Sequence, residues 1–284
     1  MTLAYYNGTY RPLSEITISP LDRGFLFGDS IYDVMPVYQG HLFRFAAHYA
    51  RLRHSIAATQ MNVDYSEAQW RALLQPLIDA QTEPSFNIYV QITRGQEAQR
   101  LHKYSSTIVP NILAFTTPHP DYRIDDFTGI RAVTQQDIRW RRCDIKATSL
   151  LGSILMQQEA TRQGAQETIV IDNGFVYEAT ASNVFIVKHN TLITPPLSTH
   201  LLGGITRDLI LELAVRHHLP YRESTISTAE LFNADEIWVT GSGKEIQPVI
   251  QIDDQLVNGG TVGPVWQRMV QWFFDYKREV TSHG

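Results

Sequence analysis

The chain has 284 residues, 43% of them hydrophobic and 19% charged, with no low-complexity tract, which is enough to bury a sizeable core in one or two domains. A net charge of −5 argues against a polyanion-binding surface, so no nucleic-acid partner is expected. One cysteine, Cys143, rules out an intrachain disulfide and a cysteine-based metal site, no metal-ligand set is read, and no apolar run approaches the ~20 residues of a membrane span.

The first forty residues carry short β signals. AYYNGTY holds an Asn-Gly pair between β-prone flanks, which predicts a hairpin, and IYDVMPVYQGHLFRF reads as strand, Gln-Gly turn, strand. Helical spacing follows over about Phe45 to Met61, with Phe45, Tyr49, Leu52 and Ile56 on one stripe. A second helix is expected at about Ser66 to Ala80, closed by Pro84. FNIYVQITRG and NILAFTTPHP read as strands separated by a long loop.

TPHPDYR carries two prolines and little apolar content, and marks a linker at residues 118–123 between a small domain at 1–117 and a larger one at 124–284. Beyond it come the strand GIRAVTQQDIRW, a segment around Lys146, and a helix to about Gln163. ETIVIDNGFVYEA and NVFIVKHNTLITP read as hairpins turning on Asn173-Gly174 and His189-Asn190. A helix at about Thr206–His217, the strand EIWVTG and a closing helix at about Val262–Arg278 complete the chain. Strands and helices mix in both halves, so the fold class is α+β rather than a doubly wound parallel sheet. No leader with a basic start and an apolar stretch is seen, and the composition reads as a reduced, cytoplasmic, soluble protein.

Lys146 stands between Ile145 and Ala147, after RWRR and before an apolar stretch. A lysine shielded by apolar neighbours gives up its proton more readily and becomes a Schiff-base nucleophile, although one at a strand end also snorkels to solvent. Glu178 follows a predicted strand among small and hydroxylated residues, where a carboxylate can face a pyridine nitrogen or simply lie exposed. LLGGITRD places two glycines before a helix start at Ile205 and Thr206, which suits an anion, and VTGSGKE adds a small-residue turn with Ser242. Arg51 in HYARLRHS offers a charge-assisted contact, and Arg100 and His102, two apart in a loop, can converge on one carboxylate. GSGKE is not a phosphate-binding P-loop: Trp238 occupies the first glycine position, and Glu245 follows the lysine. The RWRR run at 139–142 fits a local phosphate or carboxylate site, or a solvated loop.

In order, GDSIYDVMPVYQG, HYARLRHS, IKATSLL, EATASNVF, LLGGITR and VTGSGKEIQPV resemble the class IV aminotransferases, the fold-type IV enzymes that use pyridoxal phosphate. Tyr32 and the Arg100-x-His102 pair make the chain most similar to the D-amino-acid members. The resemblance implies a two-domain α+β enzyme that exchanges the amino group of a D-amino acid, D-alanine or D-glutamate, with a 2-oxo acid. It implies an internal aldimine on Lys146, Glu178 on the pyridine nitrogen, and Leu202 on the ring face. Arg51, Ile205, Thr206 and Ser242 would take the phosphate, and Tyr32, Arg100 and His102 the substrate carboxylate. It also implies a homodimer whose active site is shared across the interface. Asp33 stands where the D-specific enzymes usually carry glutamate, and the loop before Arg100 is one residue longer than expected. A branched-chain L-aminotransferase and a lyase of the aminodeoxychorismate type are the alternatives on the same scaffold.

Overall fold

The computed structural model describes residues 2–282. They divide into two compact units, one running to Asp121 and taking in Ile145–Ser149, the other made of Tyr122–Asp144 and the chain from Leu150 onward.

The first unit is a six-stranded antiparallel sheet with helices. Its elements are β1 (Leu3–Tyr6), β2 (Thr9–Pro12), α1 (Arg23–Phe27), β3 (Ser30–Tyr38), β4 (His41–Leu42), α2 (Phe45–Ala58), α3 (Glu67–Asp79), β5 (Ser85–Thr93) and β6 (Asn111–Pro118). The sheet order is β2-β1-β6-β5-β3-β4. The Asn7-Gly8 and Gln39-Gly40 turns both run at positive φ, the backbone that a two-residue hairpin needs. The helix expected to reach Met61 stops at Ala58, because Gln60 takes the left-handed conformation (φ 55°) and breaks the ladder. α3 opens on a capping box between Ser66 and Gln69. Its buried stripe of Trp70, Leu73, Leu74 and Leu77 joins Met35, Ile88 and Ala114 of the sheet in one core, to which Ile145 and Ala147 also belong. Ala147 forms a β-bridge to Ile31, so the five-residue insertion Ile145–Ser149 is bound to β3.

The second unit holds β7 (Ile130–Gln136), α4 (Leu151–Arg162), β8 (Glu167–Asp172), β9 (Phe175–Ala179), β10 (Asn183–Lys188), β11 (Thr191–Thr194), α5 (Ile205–Arg216), β12 (Tyr221–Glu223), β13 (Ile226–Ser227), α6 (Thr228–Phe232), β14 (Glu236–Gly241), β15 (Glu245–Ile252), β16 (Gln255–Leu256) and α7 (Pro264–Ser282). The strand order β10-β14-β15-β7-β8-β9 returns to β10 through the pair Glu178↔Asn183, so the sheet closes on itself. Ile169, Val176, Val184, Ile237 and Val249 from these strands share one buried cluster. β7 ends at Gln136, earlier than the strand read through Trp140, and the chain from Asp137 to Leu150 is irregular. Lys146 therefore lies in a coil pinned at its neighbours rather than at a strand end. No helix among the described residues is long and apolar enough to cross a membrane.

Candidate active site

The first unit carries the lysine. The Tyr32 N–H donates to the Lys146 carbonyl at 2.9 Å, and the Lys146 N–H donates to Ser55 Oγ at 3.3 Å. With Ile145 and Ala147 buried on either side, the backbone is held from both directions and the side chain projects from a fixed point. Its Nζ lies 4.3 Å from the centroid of the Tyr32 ring, a cation–π distance. Tyr32 in turn stacks on Tyr89 at 5.7 Å, and burial, then the neighbouring Tyr32, push the Tyr89 phenol up to about 12.

Arg51 is committed to a partner that the sequence reading mentioned only as a departure. Asp33 is fully buried on β3 and accepts from Arg51 Nε at 2.9 Å, Arg51 Nη2 at 2.8 Å and His48 Nδ1 at 2.8 Å. Burial pushes the Asp33 carboxyl up, but the Arg51 charge and then His48 outweigh it and hold the group well below the usual carboxylate range. Burial also pulls the His48 pKa down against the opposing pull of Asp33, and its Nε2 has no protein partner. Asp33 takes two of Arg51's five N–H donors, which fixes the plane of the guanidinium.

Arg100 and His102 flank the Phe27 ring, the guanidinium carbon 4.8 Å and the imidazole 5.4 Å from its centroid. Their loop is tied down through its backbone. The buried Arg23 donates to the carbonyls of Leu101 at 2.6 Å and His102 at 2.9 Å, while Asp29 holds its Nε at 2.9 Å. Both side chains remain exposed. Among the described residues no hydrogen bond or ring contact joins this pair to Tyr32, so the three residues of the expected carboxylate trap stand as a pair and a single.

In the second unit Glu178 is 5% exposed at the end of β9. Its Oε2 accepts from the Leu202 N–H at 3.0 Å, and its Oε1 is paired with Arg139. Arg139 is the residue that sequence reasoning missed, since it appeared only as part of RWRR. It also holds Asp137 in a bidentate grip at 2.9 and 2.8 Å. Burial works against its charge, but the bonds to Asp137 and the Glu178 carboxylate raise its pKa above the usual arginine value. Arg141 and Arg142 take Asp172 and Asp144, so the cluster answers carboxylates of its own chain. The alternation Asp137-x-Arg139-x-Arg141 is the signal that was available.

Leu202, besides its N–H on Glu178, accepts at its carbonyl from Asn183 Nδ2 at 2.7 Å. Gly204 follows as the N-cap of α5, and a Cβ there would sit 1.9 Å from Asn183 Oδ1, so only glycine fits. No side chain caps this helix, which leaves the Ile205 and Thr206 N–H groups available to an anion. Ile205 and Thr206 are both buried. Ser242 lies in the β14–β15 turn, just after Thr240, whose buried Oγ1 has no protein partner. An uncapped helix start and an orphaned hydroxyl suit a phosphate, and a buried carboxylate paired with an arginine suits a protonated ring nitrogen.

The family model described as amino-transferase class IV matches residues 30–252. The chain is 38% identical over 260 residues to a D-alanine aminotransferase of Bacillus licheniformis, covering 92% of each. A D-alanine aminotransferase of Staphylococcus aureus is 36% identical over the full length of both chains. Among solved structures, a branched-chain amino acid aminotransferase of Escherichia coli superposes with a TM-score of 0.90 at 27% identity, covering 96% of this chain and 93% of that one. The motifs, the fold and these relatives agree, and the chain belongs to the class IV aminotransferases, enzymes that work with pyridoxal phosphate.

Proposed function

We propose that the protein moves the amino group of a D-amino acid, with D-alanine and D-glutamate as the expected donors, onto a 2-oxo acid. The observation that carries the cofactor part is Lys146, a half-buried lysine whose backbone is fixed on both sides and whose amine rests on a tyrosine face. When bound, pyridoxal phosphate supplies an electron sink for the charge left on the substrate α-carbon. Lys146 would hold the cofactor covalently and, with its amine free, would carry the proton from the substrate α-carbon to the cofactor carbon that receives the amino group. Glu178, paired with Arg139, would hold the proton on the ring nitrogen. Arg51, the Ile205 and Thr206 N–H groups and Ser242 bind the phosphate, and Leu202 packs on the ring.

Tyr32, Arg100 and His102 bind the substrate carboxylate in this reading. The D preference rests on the curated relatives named above and on the Arg100–His102 pair presented around Phe27. The likeness to a branched-chain enzyme keeps an L-amino-acid activity as the second reading, since both activities occur on this fold. A homodimer belongs to the same proposal. Ile138, Trp140, Leu151, Ile154 and Leu155 of the second unit are 44–69% exposed, an apolar set suited to a second copy. We also read residues 1–117 as the small domain, 118–123 as a linker and 124–284 as the larger cofactor-binding domain, and the location as cytoplasmic. Ile145–Ser149, with Lys146, nevertheless packs into the first unit.

Borohydride reduction of the purified holoenzyme, followed by peptide mapping, tests the covalent assignment. The cofactor's mass is expected on Lys146; recovery of it on another lysine, or on none, would remove the basis of the mechanism.

A further inference from the structure

Lys244 and its partner Glu167 have no part in the reading above, yet they form an ion pair whose carboxylate is fully buried while the lysine is partly exposed. Glu167 opens β8 with 0% exposure. Its Oε1 accepts from Thr168 N at 3.1 Å and Thr180 Oγ1 at 2.5 Å. Its Oε2 accepts from Ser182 Oγ at 2.9 Å and Lys244 Nζ at 2.6 Å. Four donors thus meet the carboxylate's four lone-pair positions. A pair of this kind is weak evidence for stability, because a hydrophobic replacement of similar size is often as stable. What distinguishes it is where the donors come from.

Thr180 and Ser182 belong to the turn that starts immediately after Glu178, and the Ala179 N–H closes that turn on the Ser182 carbonyl at 2.7 Å. The turn ends at Asn183, which holds the Leu202 carbonyl and abuts Gly204 ahead of α5. Lys244 comes from the other side, two residues after Ser242 in the β14–β15 turn. The two turns also approach directly, since a Cβ on Gly241 would lie 3.4 Å from the Ala181 carbonyl oxygen. One buried carboxylate therefore ties the turn of the ring-nitrogen partner to the turn of a phosphate ligand.

We propose that the Glu167–Lys244 pair is a positioning element that locks these two turns together, so that the grip on the ring nitrogen and the grip on the phosphate change as one. This rests on the reading of Glu178 and Ser242 as cofactor ligands. Neither Glu167 nor Lys244 touches the cofactor in this account; they act through the turns.

The test is made on holoenzyme reconstituted with ring-15N pyridoxal phosphate. Lys244→Met is compared with wild type by the 15N signal, which reports Glu178, by the 31P signal, which reports the phosphate, and by the cofactor dissociation constant. Both signals are expected to move, and the dissociation constant to rise on the order of 10-fold or more, the range seen when outer partners of metal ligands are removed. Lys244→Arg should restore all three. A loss of thermal stability with both signals and the dissociation constant unchanged would overturn the proposal, as would a 31P change with no 15N change. Ser182→Ala, which removes a donor from Glu167 and keeps the charge pair, is expected to move the 15N signal and serves where Lys244→Met does not fold. Glu178→Gln is the control. If it leaves the 15N signal in place, the assignment of Glu178 has failed; if it moves the signal while Lys244→Met does not, only the positioning role has.

Discussion

Replacing Asp33 with asparagine tests how the first unit holds Arg51. The carboxylate accepts three donors, two from Arg51 and one from His48, in a fully buried position, while the Arg51 side chain is only 9% exposed. Asparagine keeps one acceptor oxygen but turns an amide N–H2 toward donors that need an acceptor. The result, in the cofactor-free protein, is a buried guanidinium that has lost the Asp33 carboxylate, which costs about 3–5 kcal/mol. At roughly 2–4 °C per kcal/mol for a chain of this size, the melting temperature should fall by about 10 °C. The pH dependence gives a second check. Because the Asp33 carboxyl is held below its ordinary value of 3.8, its stabilisation is complete above that value and is lost as pH falls below it toward the folded value. The gap between wild type and Asp33→Asn, measured by calorimetry, should therefore not narrow between pH 8 and 5, and His48, which Asp33 helps to keep protonatable, widens it toward the acid end. A drop under about 2 °C, or a gap that narrows between pH 7 and 5, would refute the argument that this carboxylate holds the cluster together.

Arg100→Ala should raise the KM for D-alanine about 10–100-fold with a smaller change in kcat, since a charged hydrogen-bonded contact is worth about 1.5–3 kcal/mol. Steady-state kinetics checks it, and an unchanged KM would make Arg100 an ordinary loop residue. Gly204→Ala forces a methyl onto Asn183 and should cost about 1–3 kcal/mol in denaturant unfolding together with weaker cofactor retention. Cys143 should resist alkylation: burial pushes its thiol up to about 11, so at pH 8 only about one molecule in a thousand is the thiolate. Rapid labelling by iodoacetamide in the native state would contradict this.

Much of the fold was legible because its turns have their own chemistry. Asn7-Gly8, Asn173-Gly174 and His189-Asn190 all adopt positive φ at both residues and place the hairpins where the sequence marks them. β15 was not read, because EIQPVIQI interrupts its apolar pattern with a proline and two glutamines; Pro248 nevertheless pairs with Trp238 in the ladder. The return of Ile145–Ser149 to the first unit, bridged to Ile31, is a long-range pairing without a local signal. The same divide runs through the site. Lys146, Glu178 and the Gly203-Gly204 turn stand out in the sequence, as residues whose chemistry is local. Arg139, Asp33, His48 and Glu167 do not, because each is defined by the buried charge it meets in another segment.

The central claim is a lysine-held cofactor that accepts the amino group of a D-amino acid. The most direct measurement is a spectral titration of the holoenzyme with D-alanine and then L-alanine, in the absence of any 2-oxo acid. Loss of the visible cofactor band with the D isomer alone, and one pyruvate formed per site, is the expected result. A band lost only with L-amino acids such as L-leucine would transfer the enzyme to the branched-chain reading, and a protein that stays colourless after reconstitution would contradict the account altogether.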